Sequence, residues 1–84
     1  MSKKSEHNSH SQKNMTRESV RVYLESLNGH STNRLYDLVI EETEKGMILE
    51  VLKWCKGNRS KAADTLGITR TTLRNKMRKL KISG

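Results

Sequence analysis

Eighty-four residues allow one small domain, and a chain of this size buries only about 60% of its unfolded surface, so a lone monomeric core is marginal. There is no Phe and no Pro, with one Trp and two Tyr, which disfavours strands and favours an all-α fold. The formal net charge of +8 points to a polyanionic partner; no stretch is long enough to span a membrane, and the single cysteine, Cys55, forms no internal disulfide, which suits a reducing cytoplasm.

Residues 1–14 (MSKKSEHNSHSQKN) carry no apolar residue after Met1. Such a segment buries too little to offset ordering, so we expect a disordered polar arm, and it lacks the apolar block of a signal peptide. His7 and His10 lie three apart, but no Cys or third ligand accompanies them; no metal and no cofactor are expected. Thr16 is placed to cap a first helix over about Arg17 to Asn28, with Met15 and Val20 set for a hydrophobic staple. Val20, Tyr23, Leu24 and Leu27 form its apolar stripe, and Gly29 ends it. His30 to Asn33 is a polar connector in which Thr32 or Asn33 caps the next helix.

The second helix is expected over about Arg34 to Lys56. Asp37, Glu41 and Glu42 near its start and Lys53 and Lys56 near its end suit the helix dipole. Leu35, Leu38, Val39 and Ile40 begin its apolar surface. Met47, Ile48, Leu49, Val51, Leu52, Trp54 and Cys55 continue it nearly all round, as in a helix buried on several sides. The first helix is too small to cover that surface, so a second copy of the chain is the natural cover. The expected dimer interface is Leu35, Leu38, Val39, Met47, Ile48, Val51, Leu52 and Cys55, within a helical dimerisation core over residues 15–56. Gly46 marks a bend or a close helix crossing in one bent helix, which we prefer to a loop splitting the region into two helices because capping signals occur only at its ends.

Residues 57–84 hold a helix-turn-helix. Gly57 suits a left-handed helix end and Asn58 is a good N-cap. A short helix over Arg59 to Leu66 places Ala62, Ala63 and Leu66 on one face, and the two alanines let a second helix approach closely. Gly67 supplies the turn, Ile68 plugs the gap beneath it, and Thr69 caps a helix over Arg70 to Leu80. Leu73, Met77 and Leu80 make the core stripe of that helix. From Lys56 onward there are nine Lys and Arg against one acid, Asp64, whereas residues 1–55 hold eight of each sign. The whole excess of positive charge therefore sits on the helix-turn-helix, which points to nucleic acid. Its basic helix is interrupted by Thr71, Thr72 and Asn75 and has a narrow apolar stripe without Trp or Phe, which is poor membrane design.

The run Gly57-Asn58-Arg59-Ser60-Lys61-Ala62-Ala63, then Leu66-Gly67-Ile68-Thr69-Arg70, then Thr72-Leu73-Arg74 with a basic end, resembles the C-terminal motif of the Fis (factor for inversion stimulation) family of bacterial nucleoid proteins. It also resembles the DNA-binding tail of NtrC-type activators. Upstream, Leu27-Asn28-Gly29 and Leu35-Tyr36-Asp37-Leu38-Val39 look like the Fis family itself. The resemblance implies a four-helix subunit, two dimerisation helices plus the helix-turn-helix, in an intertwined homodimer at the bacterial nucleoid, acting in transcription regulation. In that family the N-terminal arm forms a β-hairpin that contacts a recombinase. The arm here is shorter and has no alternating apolar residues, so that contact is not carried over.

Two recognition helices in a symmetric dimer reach half-sites about 34 Å apart on straight DNA. The family resemblance implies a closer spacing, so the duplex bends to admit both, with preference arising from its deformability. Arg70 is the first candidate for a guanine contact, and Thr69 and Asn75 for other base edges. The family pattern usually has Asn and Lys at those last two positions, so this chain weights bases differently. Asn58, Ser60, Thr72, Arg74 and Lys76 are candidate phosphate contacts, with Arg78 and Lys79 flanking. The rival readings are a small helical interaction adaptor and a free-standing NtrC-type tail. Neither a nucleophile–base constellation nor a phosphate-cradling Gly loop is present, so no enzyme is expected.

Overall fold

The computed structural model describes residues 2–29 and 32–83, with side chains described from Ser11 onward. Four helices follow one another: α1 (Ser2–Ser26), α2 (Leu35–Trp54), α3 (Arg59–Leu66) and α4 (Arg70–Lys79). Among the described residues there is no strand, and the chain is all-α. It divides into two units, Met1–Asn33 and Arg34–Gly84.

In the first unit, helix runs back to Ser2 instead of starting near Arg17, so α1 includes most of the segment expected to be a disordered arm. The physical reason lies in what the segment lacks: neither Gly nor Pro interrupts residues 2–26, so no backbone signal halts the helix. Thr16 is correspondingly not a cap. Its hydroxyl donates to the Gln12 carbonyl at 3.0 Å, the back-bond of a helix-interior threonine. Met15 is exposed, so it forms no staple. Arg21 pairs with Glu18 and, at 3.0 Å, with Glu25 on the outer surface of α1. The helix ends as expected near Gly29, where Asn28 (φ 54°) and Gly29 (φ 87°) both turn left-handed. The side chains of His7 and His10, and all of His30 and Ser31 in the connector, lie outside the described residues.

The second unit holds α2, α3 and α4. Arg34, and not Thr32 or Asn33, is the N-cap of α2, and it makes no side-chain capping bond to the helix. Asp37 in the first turn and Lys53 in the last still suit the dipole. The helix is continuous through Gly46, as expected. Among the described residues of this unit, a Cβ added at Gly46 would meet nothing within 4 Å, so no close crossing of α3 or α4 explains the glycine. After Trp54 the chain reverses through two left-handed residues, Lys56 and Gly57, and the Gly57 N–H donates to the Leu52 carbonyl at 2.8 Å.

One core joins the three helices: Ile48 and Leu52 from α2, Ala62 and Ala63 from α3, Leu73 and Met77 from α4, then Leu80 and Ile82 beyond it. Fully burying a Leu or Ile side chain is worth about 1.5–3 kcal/mol, so this cluster holds the helix-turn-helix onto α2. Ala62 is 0% exposed, as the close approach of α3 requires. The cluster corrects part of the expected dimer interface. Ile48 is 2% exposed within one chain, and Leu52 is buried beside it, so α3 and α4 cover them without a second copy. Val51 and Cys55 pack against the same cluster from its edge. The sequence made α2 look apolar all round; in fact it has an inner face at 48, 52 and 55 and an outer set at Tyr36, Ile40, Met47 and Leu49 that is exposed. Leu35, Leu38 and Val39 are half-buried. Among the described residues no helix is long and apolar enough to cross a membrane.

Candidate nucleic-acid interface

The helix-turn-helix is built by its caps. The Asn58 side-chain oxygen accepts from the Lys61 N–H at 3.0 Å and starts α3. Gly67 ends it at φ 79°, and the Ile68 N–H folds back onto the Ala63 carbonyl at 3.0 Å. That reversal drops Ile68 against the core, beneath the turn. Thr69 then starts α4, its hydroxyl oxygen accepting from the Thr72 N–H at 3.0 Å. At the far end Lys81 turns left-handed (φ 59°) and the Ile82 N–H closes on the Met77 carbonyl at 2.8 Å. Ile82 thereby becomes a core residue that the sequence reading omitted. Its signal was a single apolar residue two positions past Leu80.

With Leu73 and Met77 turned inward, α4 presents Arg70, Thr71, Arg74, Asn75 and Arg78 outward, at i, i+1, i+4, i+5 and i+8. All five are exposed, as is Lys79. An open groove runs between the start of α3 and the start of α4, lined by Arg59, Ser60, Arg70, Thr71, Leu73 and Arg74. Three guanidinium groups and two hydroxyls line it, with no carboxylate. The Arg70 guanidinium donates to Ser60 Oγ at 3.5 Å, a long bond across the mouth of the groove. Arg59 was absent from the expected contacts. Arg59 is the first residue of α3, and its signal was its place beside Ser60, itself an expected contact.

Several expected contacts are engaged elsewhere. The Thr69 hydroxyl, besides capping, donates to Thr72 Oγ1 at 2.9 Å, which leaves one acceptor lone pair of this exposed side chain for a base edge. Asn58 uses its oxygen on α3, which leaves its amide N–H groups for an acceptor. Thr72 is half-buried at the flank. Lys76 is also half-buried, and its Nζ lies 2.7 Å from Glu44 Oε2 on α2. A second hollow, around Trp54, Cys55, Lys56, Lys61, Asp64 and Thr65, lies away from α4. Cys55 Sγ is 3.8 Å from Thr65 Oγ1 there, and Trp54 is 82% exposed, outside the apolar face in which the sequence placed it. Among the described residues no group of three or more His, Cys, Asp or Glu is placed to hold a metal.

Residues 39–80, which span the groove and the core beneath it, match the family model described as bacterial regulatory protein, Fis family. A putative Fis-like DNA-binding protein of Xylella fastidiosa (strain Temecula1 / ATCC 700964) is 49% identical over 59 residues, 70% of this chain and 66% of that protein. DNA-binding protein Fis of Pasteurella multocida (strain Pm70) is 43% identical over 63 residues, 75% of this chain and 64% of that protein. DNA-binding protein Fis of Buchnera aphidicola subsp. Acyrthosiphon pisum (strain 5A) is 38% identical over 65 residues, 77% of this chain and 66% of that protein. The chain thus spans just under two thirds of the length of these relatives.

Proposed function

The chain belongs to the Fis family of bacterial regulatory proteins, and from that premise we propose that it binds double-stranded DNA as a homodimer and bends it, regulating transcription and organising the nucleoid in the bacterial cytoplasm. The observation that carries the proposal is the groove of Arg59, Ser60, Arg70, Thr71 and Arg74, three guanidinium groups with no carboxylate among the lining residues, at the positive dipole end of α4. A phosphodiester is the ligand that such a lining suits, and α4 is of a size to enter the major groove. Arg70 is proposed to fork onto a guanine edge, with Asn75 beside it. Asn58, Ser60, Thr72, Arg59, Arg74, Arg78 and Lys79 are proposed to hold the backbone. Binding rather than catalysis is the proposed activity, in line with relatives named as DNA-binding proteins.

The homodimer is supported by what α2 leaves outside its own core: Met47 is 49% and Leu49 47% exposed, with Tyr36 and Ile40 further along. A second copy covering this outer set, joined by the half-buried Leu35, Leu38 and Val39, points two α4 helices at one duplex. Two helices set closer than one turn require a bend, whose cost depends on the central base steps. Gel shift and fluorescence anisotropy on duplex DNA at physiological salt test the reading. Tight, salt-sensitive binding with two chains per site is the expected result; an absence of binding returns the chain to the adaptor reading.

A further inference from the structure

The carboxylate of Glu44 reaches across from α2 to the recognition helix. Its Oε2 lies 2.7 Å from Lys76 Nζ, and the two side chains are only 28% and 36% exposed. Glu44, Ile48 and Leu52 succeed one another at i, i+4 and i+8 on α2, and on α4 Lys76 adjoins Met77 and stands one turn from Leu73 and Leu80. The ion pair therefore continues the buried seam between α2 and α4 outward by one turn. It sits beside the cationic face, and the groove itself is lined by no acid.

We propose that Glu44 is a positioning residue for DNA recognition: by holding Lys76 it fixes the attitude of α4 on α2, and Lys76 acts inward as its partner instead of reaching phosphate. This rests on the DNA-binding reading above. A charge-assisted bond between two largely covered groups is stronger than an exposed pair and constrains direction as well as distance. Its place at the end of the seam matters. Leu73 and Met77 set how deeply α4 sits, while a contact one turn further out resists its rocking about that apolar contact. Arg70 and Arg74 ride on the same helix, so rocking would move both guanidinium groups relative to a base edge. A site-specific contact tolerates little such movement, whereas phosphate attraction tolerates much.

The two roles for Glu44 give opposite signs. An acid that merely lies near the DNA surface repels it, so Glu44→Gln would tighten binding to every sequence. A positioning acid, once removed, lowers the preference for a selected site over random duplex, even though the protein has become more positive. The experiment uses the full chain, a site obtained by selection from random duplex, and an unrelated duplex. Wild type, Glu44→Gln, Lys76→Gln and the exchanged pair Glu44→Lys with Lys76→Glu are compared by anisotropy across a salt series, with thermal unfolding on the same samples. We expect both single variants to reduce the site-to-random ratio by roughly threefold to tenfold and the exchanged pair to recover most of it. The salt slope of the exchanged pair should match wild type. Uniformly tighter binding by Glu44→Gln would overturn the proposal, as would an exchanged pair that stays defective with a slope flatter by about one, the mark of a lost phosphate contact. Failure of wild type to bind either duplex would refute the DNA-binding reading and the proposed role with it. The unfolding data would still show separately whether the two side chains are coupled.

Discussion

Arg70 on α4 and Ser60 on α3 meet at 3.5 Å across the mouth of the basic groove, ten residues apart in the chain. The two helix starts therefore form one surface, and a guanidinium from one is steadied by a hydroxyl from the other. Arg70→Ala is expected to cost about 1–3 kcal/mol of specific binding while leaving random-sequence binding nearly intact. Ser60→Ala should cost less, since it removes a long bond to an exposed partner. Anisotropy on a selected site and an unrelated duplex separates the two; equal losses on both duplexes for Arg70→Ala would contradict its assignment to a base edge.

Arg59 and Arg74 flank that contact on the groove walls. Replacing either with Ala should weaken all duplexes alike and flatten the salt slope by about one. A salt titration checks this, and an unchanged slope would remove the residue from the backbone contacts.

The caps at Asn58 and Thr69 predict a loss of a different kind. Thr69→Ala should lower stability by about 0.5–2 kcal/mol, because the Thr72 N–H loses its acceptor. Thr69→Asn should retain stability, since Asn caps as well, and it adds an amide near the groove. Urea unfolding measures both.

Core and outer surface of α2 are separable by substitution. Leu52→Ala opens the core that holds α3 and α4, at a cost of about 2–5 kcal/mol in unfolding. Met47→Arg changes an exposed side chain, so far-ultraviolet circular dichroism should be unaltered while sedimentation reports a monomer. A Met47→Arg protein that remained dimeric would remove the outer set of α2 from the interface.

Two glycines should respond in opposite directions. Gly46 lies inside α2 with open space where a Cβ would stand, so Gly46→Ala should stabilise the helix by about 0.5–1 kcal/mol. Gly67 sits at φ 79°, so Gly67→Ala should destabilise by about 1–2 kcal/mol. Urea midpoints of the two variants decide it.

The helix-turn-helix was legible because its signals are local. Asn58, Gly67 and Thr69 act on backbone within three or four residues, and Leu73, Met77 and Leu80 recur at a helical period, so the bounds of α3 and α4 follow closely from the chain. What escaped depends on which neighbour arrives. An apolar run on α2 shows that Ile48 and Leu52 are covered but not by what, and here α3 and α4 cover them. Lys76 reads as one more cation on a basic helix until Glu44, thirty-two residues earlier, is brought beside it. Thr69 was read twice, as a cap and as a base contact, and the cap, which acts on its own next turn, is the part the chain makes legible.

The central claim is that two cationic helix-turn-helix units grip one duplex, and the salt dependence of the dissociation constant tests it most directly. With about four backbone-contacting cations from each of two chains, log K should fall with log salt at a slope of about −7, at two chains per site. A slope near zero, or one chain per site with half that slope, would contradict it.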